Sequence, residues 1–269
     1  MERPFDLPDF ENPPLSEVAL GVQFVPPEKY SQIYAKDVWD LYRREYPILN
    51  QVEPIPPTFE TFGSRSMAER DISLQGDVTH DRYWFISEDS KDLIQFQSDR
   101  LLHNWRKVPS KEGRYPRFES IIEKYERELR LLEDLYCSSF GEGSLHLTQC
   151  EATYINLIPL GRNAPELPEE WIKLISLNGA DFENFSFSSA RVIRREDGAP
   201  SGRCIVECRN VISPSDSQTS IELKITVRGA PETEKMESAI WFLYNARNEI
   251  VRTFASVTTE VAHKRWERK

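Results

Sequence analysis

Strand-forming apolar residues, set off by polar turns, are densest between Tyr83 and Arg106, and this stretch predicts the centre of the first sheet. Tyr83-Trp84-Phe85-Ile86 and Leu93-Ile94-Gln95-Phe96-Gln97 flank the polar loop Glu88 to Asp92 as the two arms of a β-hairpin, and Ser98-Asp99-Arg100 turns the chain into a third strand ending at Trp105-Arg106. Upstream, Val18, Leu20, Val22 and Phe24 fall on one face of a strand, with small Ala19 and Gly21 on the other, where close approach is expected. Pro26-Pro27 ends that strand and opens a helix with Tyr30, Ile33, Tyr34, Val38, Leu41 and Tyr42 at helical spacing. Pro54-Ile55-Pro56-Pro57 reads as a linker, and Thr58–Phe62 and Asp71–Gln75 as weak strands. A second helix follows Pro116, with Phe118, Ile121, Ile122, Tyr125, Leu129, Leu132 and Tyr136 on one stripe, and Gly141-Glu142-Gly143 closes it.

The second half repeats this order. A long strand over Leu145–Ile158 and a short helix over Pro168–Leu177 precede strands near 183–194, 203–212 and 218–228. In the last of these, Thr219, Ile221, Leu223, Ile225 and Val227 alternate with Ser220, Glu222, Lys224, Thr226 and Arg228, the pattern of an antiparallel strand with one wet face. A long C-terminal helix follows, its stripe running Met236, Ile240, Leu243, Ile250, Phe254, Val257 and Val261 and interrupted by Arg247. The predicted fold is α+β, with two tandem units of strand, helix, antiparallel strands and helix over 16–142 and 143–269. A Pro-punctuated N-terminal arm over 1–15, too polar to pack a core, precedes them. The order matches either TATA-binding-protein-like modules, where paired repeats share one curved sheet, or a helix-grip arrangement around the C-terminal helix.

Three segments also carry a family resemblance: Asn12-Pro13-Pro14-Leu15-Ser16-Glu17-Val18, the run from Leu93-Ile94-Gln95-Phe96-Gln97 through Asn104-Trp105-Arg106, and Arg252-Thr253-Phe254 with Trp266. In these the chain resembles a sporadically distributed family of uncharacterised bacterial proteins, over nearly its whole length. The resemblance implies no activity.

Charge narrows the choice of partner. Lys and Arg total 34 against 44 Asp and Glu, a net charge of −10, which repels phosphate backbones and suits a basic protein partner. No apolar run approaches the ~20 residues of a bilayer span, and Met1 to Pro8 lacks the basic start and apolar core of a secretion signal, so a cytoplasmic protein without membrane insertion is expected. In that compartment Cys137, Cys150, Cys204 and Cys208 read as thiols rather than disulfides.

Candidate chemistry is sparse. His80-Asp81 lacks the further ligands of a metal-dependent phosphohydrolase, Glu260 and His263 lack the second copy of a di-metal bundle, and no phosphate-binding glycine loop or nucleophile elbow is present. No cofactor or metal is expected. Arg191, Arg194, Arg195 and Arg203, like the basic C-terminus, read as surface charge. The set worth testing is Gln95, Gln97, Asn104, Trp105 and Arg106, whose amides and guanidinium gather on one sheet face if the strands pair. The expected function is non-enzymatic binding or regulation, as a protein-binding subunit of a bacterial defence or toxin-neutralising system, with self-association allowed. One alternative is a ligand-binder or enzyme whose cavity lies between sheet and C-terminal helix; another is nucleic-acid binding by a saddle-shaped sheet.

Overall fold

Hydrogen bonding in the middle of the molecule joins strands that lie far apart in the chain. A computed structural model describes residues 3–62, 81–108, 114–141, 143–161, 165–176, 183–212 and 218–269. Its first half contains β1 (Leu15–Phe24), α1 (Tyr34–Tyr42), β2 (Ile48–Val52), β3 (Arg82–Ile86), β4 (Asp92–Gln97), β5 (Arg100–Arg106) and α2 (Phe118–Phe140). The second contains β6 (Leu147–Pro159), a 3-10 turn (Pro168–Glu170), β7 (Ser186–Arg194), β8 (Pro200–Ile212), β9 (Thr219–Gly229), α3 (Met236–Val257) and α4 (Glu260–Arg265). Among the described residues there is one antiparallel sheet, ordered β2-β3-β4-β5-β1-β6-β9-β8-β7. Its central pair, β1 and β6, aligns Val18 with Tyr154 and Val22 with Cys150. Both halves thus feed one sheet and one apolar cluster.

The alternation of each strand decides its buried face. Val18, Leu20 and Val22 of β1 share a face with Leu101, His103 and Trp105 of β5 and with Cys150, Ala152 and Tyr154 of β6. Against that face lie α2, through Ile121, Tyr125, Leu129 and Leu132, and α3, through Ala239, Leu243, Ala246 and Ile250, all buried. Arg247 interrupts the stripe of α3 yet is only 1% exposed: it pairs with Glu119 at 3.0 Å and lies 4.7 Å over the Phe118 ring, joining the two long helices. No helix of the described residues is long and apolar enough to cross a membrane.

Several expectations needed correction. β2 has no buried alternation and forms because it pairs with β3, Ile48 opposite Ile86. Thr58–Phe62 is not a strand but part of an irregular segment, and Asp71–Gln75 lies outside the described residues. The helix expected from Pro168 is a single 3-10 turn, because Trp171 turns inward to stack on Trp266 and Ile172 bridges to Thr258. The C-terminal stripe is broken at Thr258, whose hydroxyl donates to the Phe254 carbonyl at 2.7 Å, and α4 restarts with Thr259 as its cap. The N-terminal arm does contribute to the core: Leu7 and Phe10 are buried, and Phe10 packs on Phe254 and Trp266. His263 is buried against Thr258 and Arg268.

Candidate functional site: the open face of the sheet

The second face of the sheet carries the side chains that α2 and α3 do not cover. Strand register places Leu93, Gln95 and Gln97 of β4 there, with Arg100, Leu102, Asn104 and Arg106 of β5 and Glu17, Ala19, Gly21 and Gln23 of β1. Gly21 is required for packing: a Cβ would stand 2.6 Å from Leu102 Cγ, so the close approach expected beside β1 is made by Leu102. Across the seam the same face carries Glu151 and Thr153 of β6, Glu222, Lys224 and Arg228 of β9, and Arg203, Ile205, Glu207 and Arg209 of β8. Opposite charges face each other in Glu151–Arg228, Glu207–Lys224 and Glu222–Arg209. With Arg82, the strands show seven cations on this face (Arg82, Arg100, Arg106, Arg203, Arg209, Lys224 and Arg228) against four carboxylates (Glu17, Glu151, Glu207 and Glu222). Asp99, bidentate on Arg100, and Glu60, which accepts from Arg203 and Arg228, bring the carboxylates to six, so the charges on this face are nearly balanced.

The sequence-predicted residues divide into three groups here. Gln95 and Asn104 bind each other, Gln95 Nε2 donating to Asn104 Oδ1 at 2.8 Å. The Gln95 carbonyl accepts from Arg82 and Trp84, and Asn104 donates to Glu17 at 2.5 Å, giving a network across β3, β4, β5 and β1. Trp105 lies on the other face, 5% exposed and packed on Tyr115. Arg106 therefore does not stack on it and instead donates to the Ser90 carbonyl at 3.3 Å. Gln97 stands apart because its partner is another segment of the chain. None of Gln95, Gln97, Asn104 and Arg106 points toward α3, so these four cannot line a cavity between sheet and C-terminal helix.

That segment is a strap, residues 53–62, laid over the ends of the strands. Pro54, Pro56 and Pro57 fix their own φ angles, and each also holds the residue before it extended. Gln97 grips the strap at Ile55, its Oε1 accepting from the Ile55 N–H and its Nε2 donating to the Ile55 carbonyl, both at 3.0 Å. Gln23 does the same at Thr58, at 3.0 and 2.8 Å. Three residues further on, Arg203 donates to the Thr61 carbonyl at 2.7 Å and lies over the Phe62 ring. Glu60 completes the anchor: one carboxylate oxygen accepts from Arg203, the other from Arg228. Arg203 and Arg228 are opposed in register on neighbouring strands, a like-charge pair that Glu60 and Glu151 together neutralise. Gln149, opposite Gln23 on β6, is 3% exposed and its Nε2 has no hydrogen-bond partner among the described residues. Gln23, Arg203 and Glu60 were not anticipated as site residues. For Gln23 and Arg203 the signal in the sequence is slight, a polar residue near the end of a strand, and Glu60 lies on no strand.

The helix-covered face holds a different polar cluster. His103, fully buried, contacts Glu128 of α2 at 2.9 Å and Asp92 at 3.3 Å; Tyr46 donates to Glu128, and Lys124 pairs with Asp92 at 2.8 Å. Burial alone would lower the imidazole's pKa, but the two carboxylates overcome it and raise it to about 9. Asp92, which burial would raise, is held down at about 2 by His103 and Lys124. The cluster is closed to solvent at its centre, which suits a structural ion network rather than turnover. Both members were visible as polar residues on apolar stripes: His103 between Leu101 and Trp105, and Glu128 beside Leu129. No group of three or more His, Cys, Asp or Glu side chains suited to a metal ion occurs among the described residues. Burial raises the thiol pKa of Cys150, Cys204 and Cys208, which leaves them poor nucleophiles at neutral pH. His80 of the His80-Asp81 pair lies outside the described residues, and Asp81 accepts from Gln51 at 2.6 Å. Neither the protein-family models nor the curated proteins searched match this chain.

Proposed function

We propose that this is a non-enzymatic binding protein that engages a protein partner through the open face of its sheet. The observation that carries the reading is the strap: side-chain amides of Gln97 and Gln23 already hold an extended peptide by its backbone on that face. The buried His103 cluster adds to it, since its imidazole and the Glu128 carboxylate that it contacts lie under a helix and not in an accessible cleft. The seat formed by Arg203 and Arg228, filled by the Glu60 carboxylate from outside the sheet, favours an acidic partner segment, although net charge alone suggested a basic one.

The strand order supports a duplicated, TATA-binding-protein-like origin for this surface. Outward from the β1–β6 seam it reads β1-β5-β4-β3-β2 on one side and β6-β9-β8-β7 on the other, each half closing with a long helix. A helix-grip arrangement has less in its favour, because α3 shares the covered face with α2. The sporadic distribution of the family that the chain resembles fits a partner subunit in a bacterial defence or toxin-neutralising system, acting in the cytoplasm.

The test is capture by purified, tagged full chain from cells that express it, comparing Lys224→Glu on the open face with Lys29→Glu as a control. A single protein partner lost with Lys224→Glu and kept with Lys29→Glu is the expected result. Retention by both variants overturns the reading. Recovery of nucleic acid, with binding that falls steeply as salt rises, would put the nucleic-acid alternative in its place.

A further inference from the structure

We infer that the strap is an intramolecular stand-in, and that the open face takes an extended, proline-rich acidic segment of a partner protein in its place. This rests on the binding reading above and names the chemistry of the ligand. Geometry is the first support. Sheet strands lie about 4.8 Å apart, so the path from Gln97 on β4 past β5 to Gln23 on β1 is roughly 10 Å. A polyproline II chain advances about 9.3 Å per three-residue turn, the same span. One turn of such a chain therefore crosses two strands, which is why the grips fall at Ile55 and Thr58. β-strand addition uses backbone groups at a sheet edge; this surface reads the backbone of a chain running across the strands.

Charge is the second, independent support. Arg203 and Arg228 face each other in register; the sheet supplies Glu151 to Arg228, and the strap supplies Glu60, which reaches both arginines. Their side chains are 12% and 19% exposed and that of Glu60 is 9% exposed, so the carboxylate occupies a partly desolvated seat and not a surface contact. An arginine pair of this kind is a receptor for any carboxylate delivered at the right distance from two gripped peptide groups. The unpartnered amide of Gln149, beside Gln23, leaves a further donor for an incoming chain.

The strap is also open to solvent along much of its length. Phe59 is 56% and Phe62 38% exposed, and Pro56, Pro57, Thr58 and Thr61 are exposed as well. Its attachment is polar and backbone-directed. Tethering gives it an effective concentration in the millimolar range, so it masks the site from free peptides of moderate affinity without preventing exchange.

The experiment uses a fluorescent synthetic peptide with the sequence of residues 53–62 and a second with its glutamate at the Glu60 position changed to lysine. Anisotropy titrations compare the full wild-type chain with Glu60→Ala, which removes the strap's own anchor. The expected result is at least tenfold tighter binding of the first peptide by Glu60→Ala than by wild type. The lysine peptide should not bind, and Gln23→Ala added to Glu60→Ala should cost tenfold or more. Should Glu60→Ala not fold, Pro56→Gly with Pro57→Gly loosens the strap while leaving every sheet residue in place, and the same comparison applies. Equal binding by wild type and the loosened chain, or equal binding of both peptides, overturns the inference. If neither peptide binds while capture of a partner still depends on Lys224, the binding reading survives and the proline-rich ligand does not.

Discussion

The two faces of one sheet handle polar side chains in opposite ways. Under α2, His103, Glu128, Asp92 and Tyr46 form a closed ionic cluster whose centre excludes water, and its charges are strongly coupled. On the open face, the polar groups are mostly amides and guanidiniums, and those nearest the strap are directed at peptide backbone. Low dielectric makes the first cluster costly to disturb, because an orphaned charge there loses water and partner together. The strap contacts border solvent, so breaking one allows water to substitute. The first arrangement suits stability and the second exchange.

Glu128→Leu should separate the two most sharply. It leaves His103 and Tyr46 without their shared acceptor, and an unfolding free energy lower by about 3 to 5 kcal/mol is expected from denaturant titration. A loss below about 1 kcal/mol would mean that water reaches the cluster.

Stability should also track the charge of His103. Its folded-state pKa lies above the unfolded value of about 6.5, so the contribution is complete below about 6.5 and is lost as pH climbs through about 9. Asp92 acts at the other end: its depressed pKa stabilises above about 3.9, and that stabilisation is lost as pH falls through about 2. Melting temperatures across pH 5 to 10 should therefore fall on the alkaline side, and His103→Gln should flatten that fall. An unchanged slope in the variant would assign the alkaline loss to other groups.

On the open face, Glu60→Ala should lower global stability by no more than about 1 to 2 kcal/mol, since only the strap depends on it. The amides of Ile55 and Thr58 should nonetheless exchange with solvent at least tenfold faster, while those of β1 and β9 keep their protection, as read by hydrogen exchange. Global loosening of β9 would show that the strap is structural. The smallest effect is expected at Arg106. Its hydrogen bond among the described residues, to the Ser90 carbonyl, is long at 3.3 Å and predicts a loss of about 0.5 kcal/mol or less for Arg106→Lys by thermal melting.

Legibility in the sequence followed alternation. The strand β9 has a clean period-two pattern, the hairpin of β3 and β4 and the strand β5 are dense in strand-forming residues, and α2 has an unbroken stripe, so local physics placed them. β2 was invisible because its residues are exposed and its pairing with β3 is the reason it is a strand at all. Among site residues, the face shared by Gln95, Gln97, Asn104 and Arg106 follows from period two once the hairpin is assumed. That Gln95 and Asn104 satisfy each other while Gln97 binds the strap depends on which chain passes overhead.

By itself the sequence determined the fold class, the long C-terminal helix and the apolar side of each well-patterned strand, because alternation and helical spacing are properties of neighbouring residues. Only the tertiary structure decided that β1 pairs with β6, that Arg203 and Arg228 face each other, and that Glu60, 143 residues from Arg203 and 168 from Arg228, settles between them. Those outcomes depend on sheet register and on the course of a proline-stiffened segment. A long-range pairing of that kind leaves no periodic trace in either of the stretches that it joins.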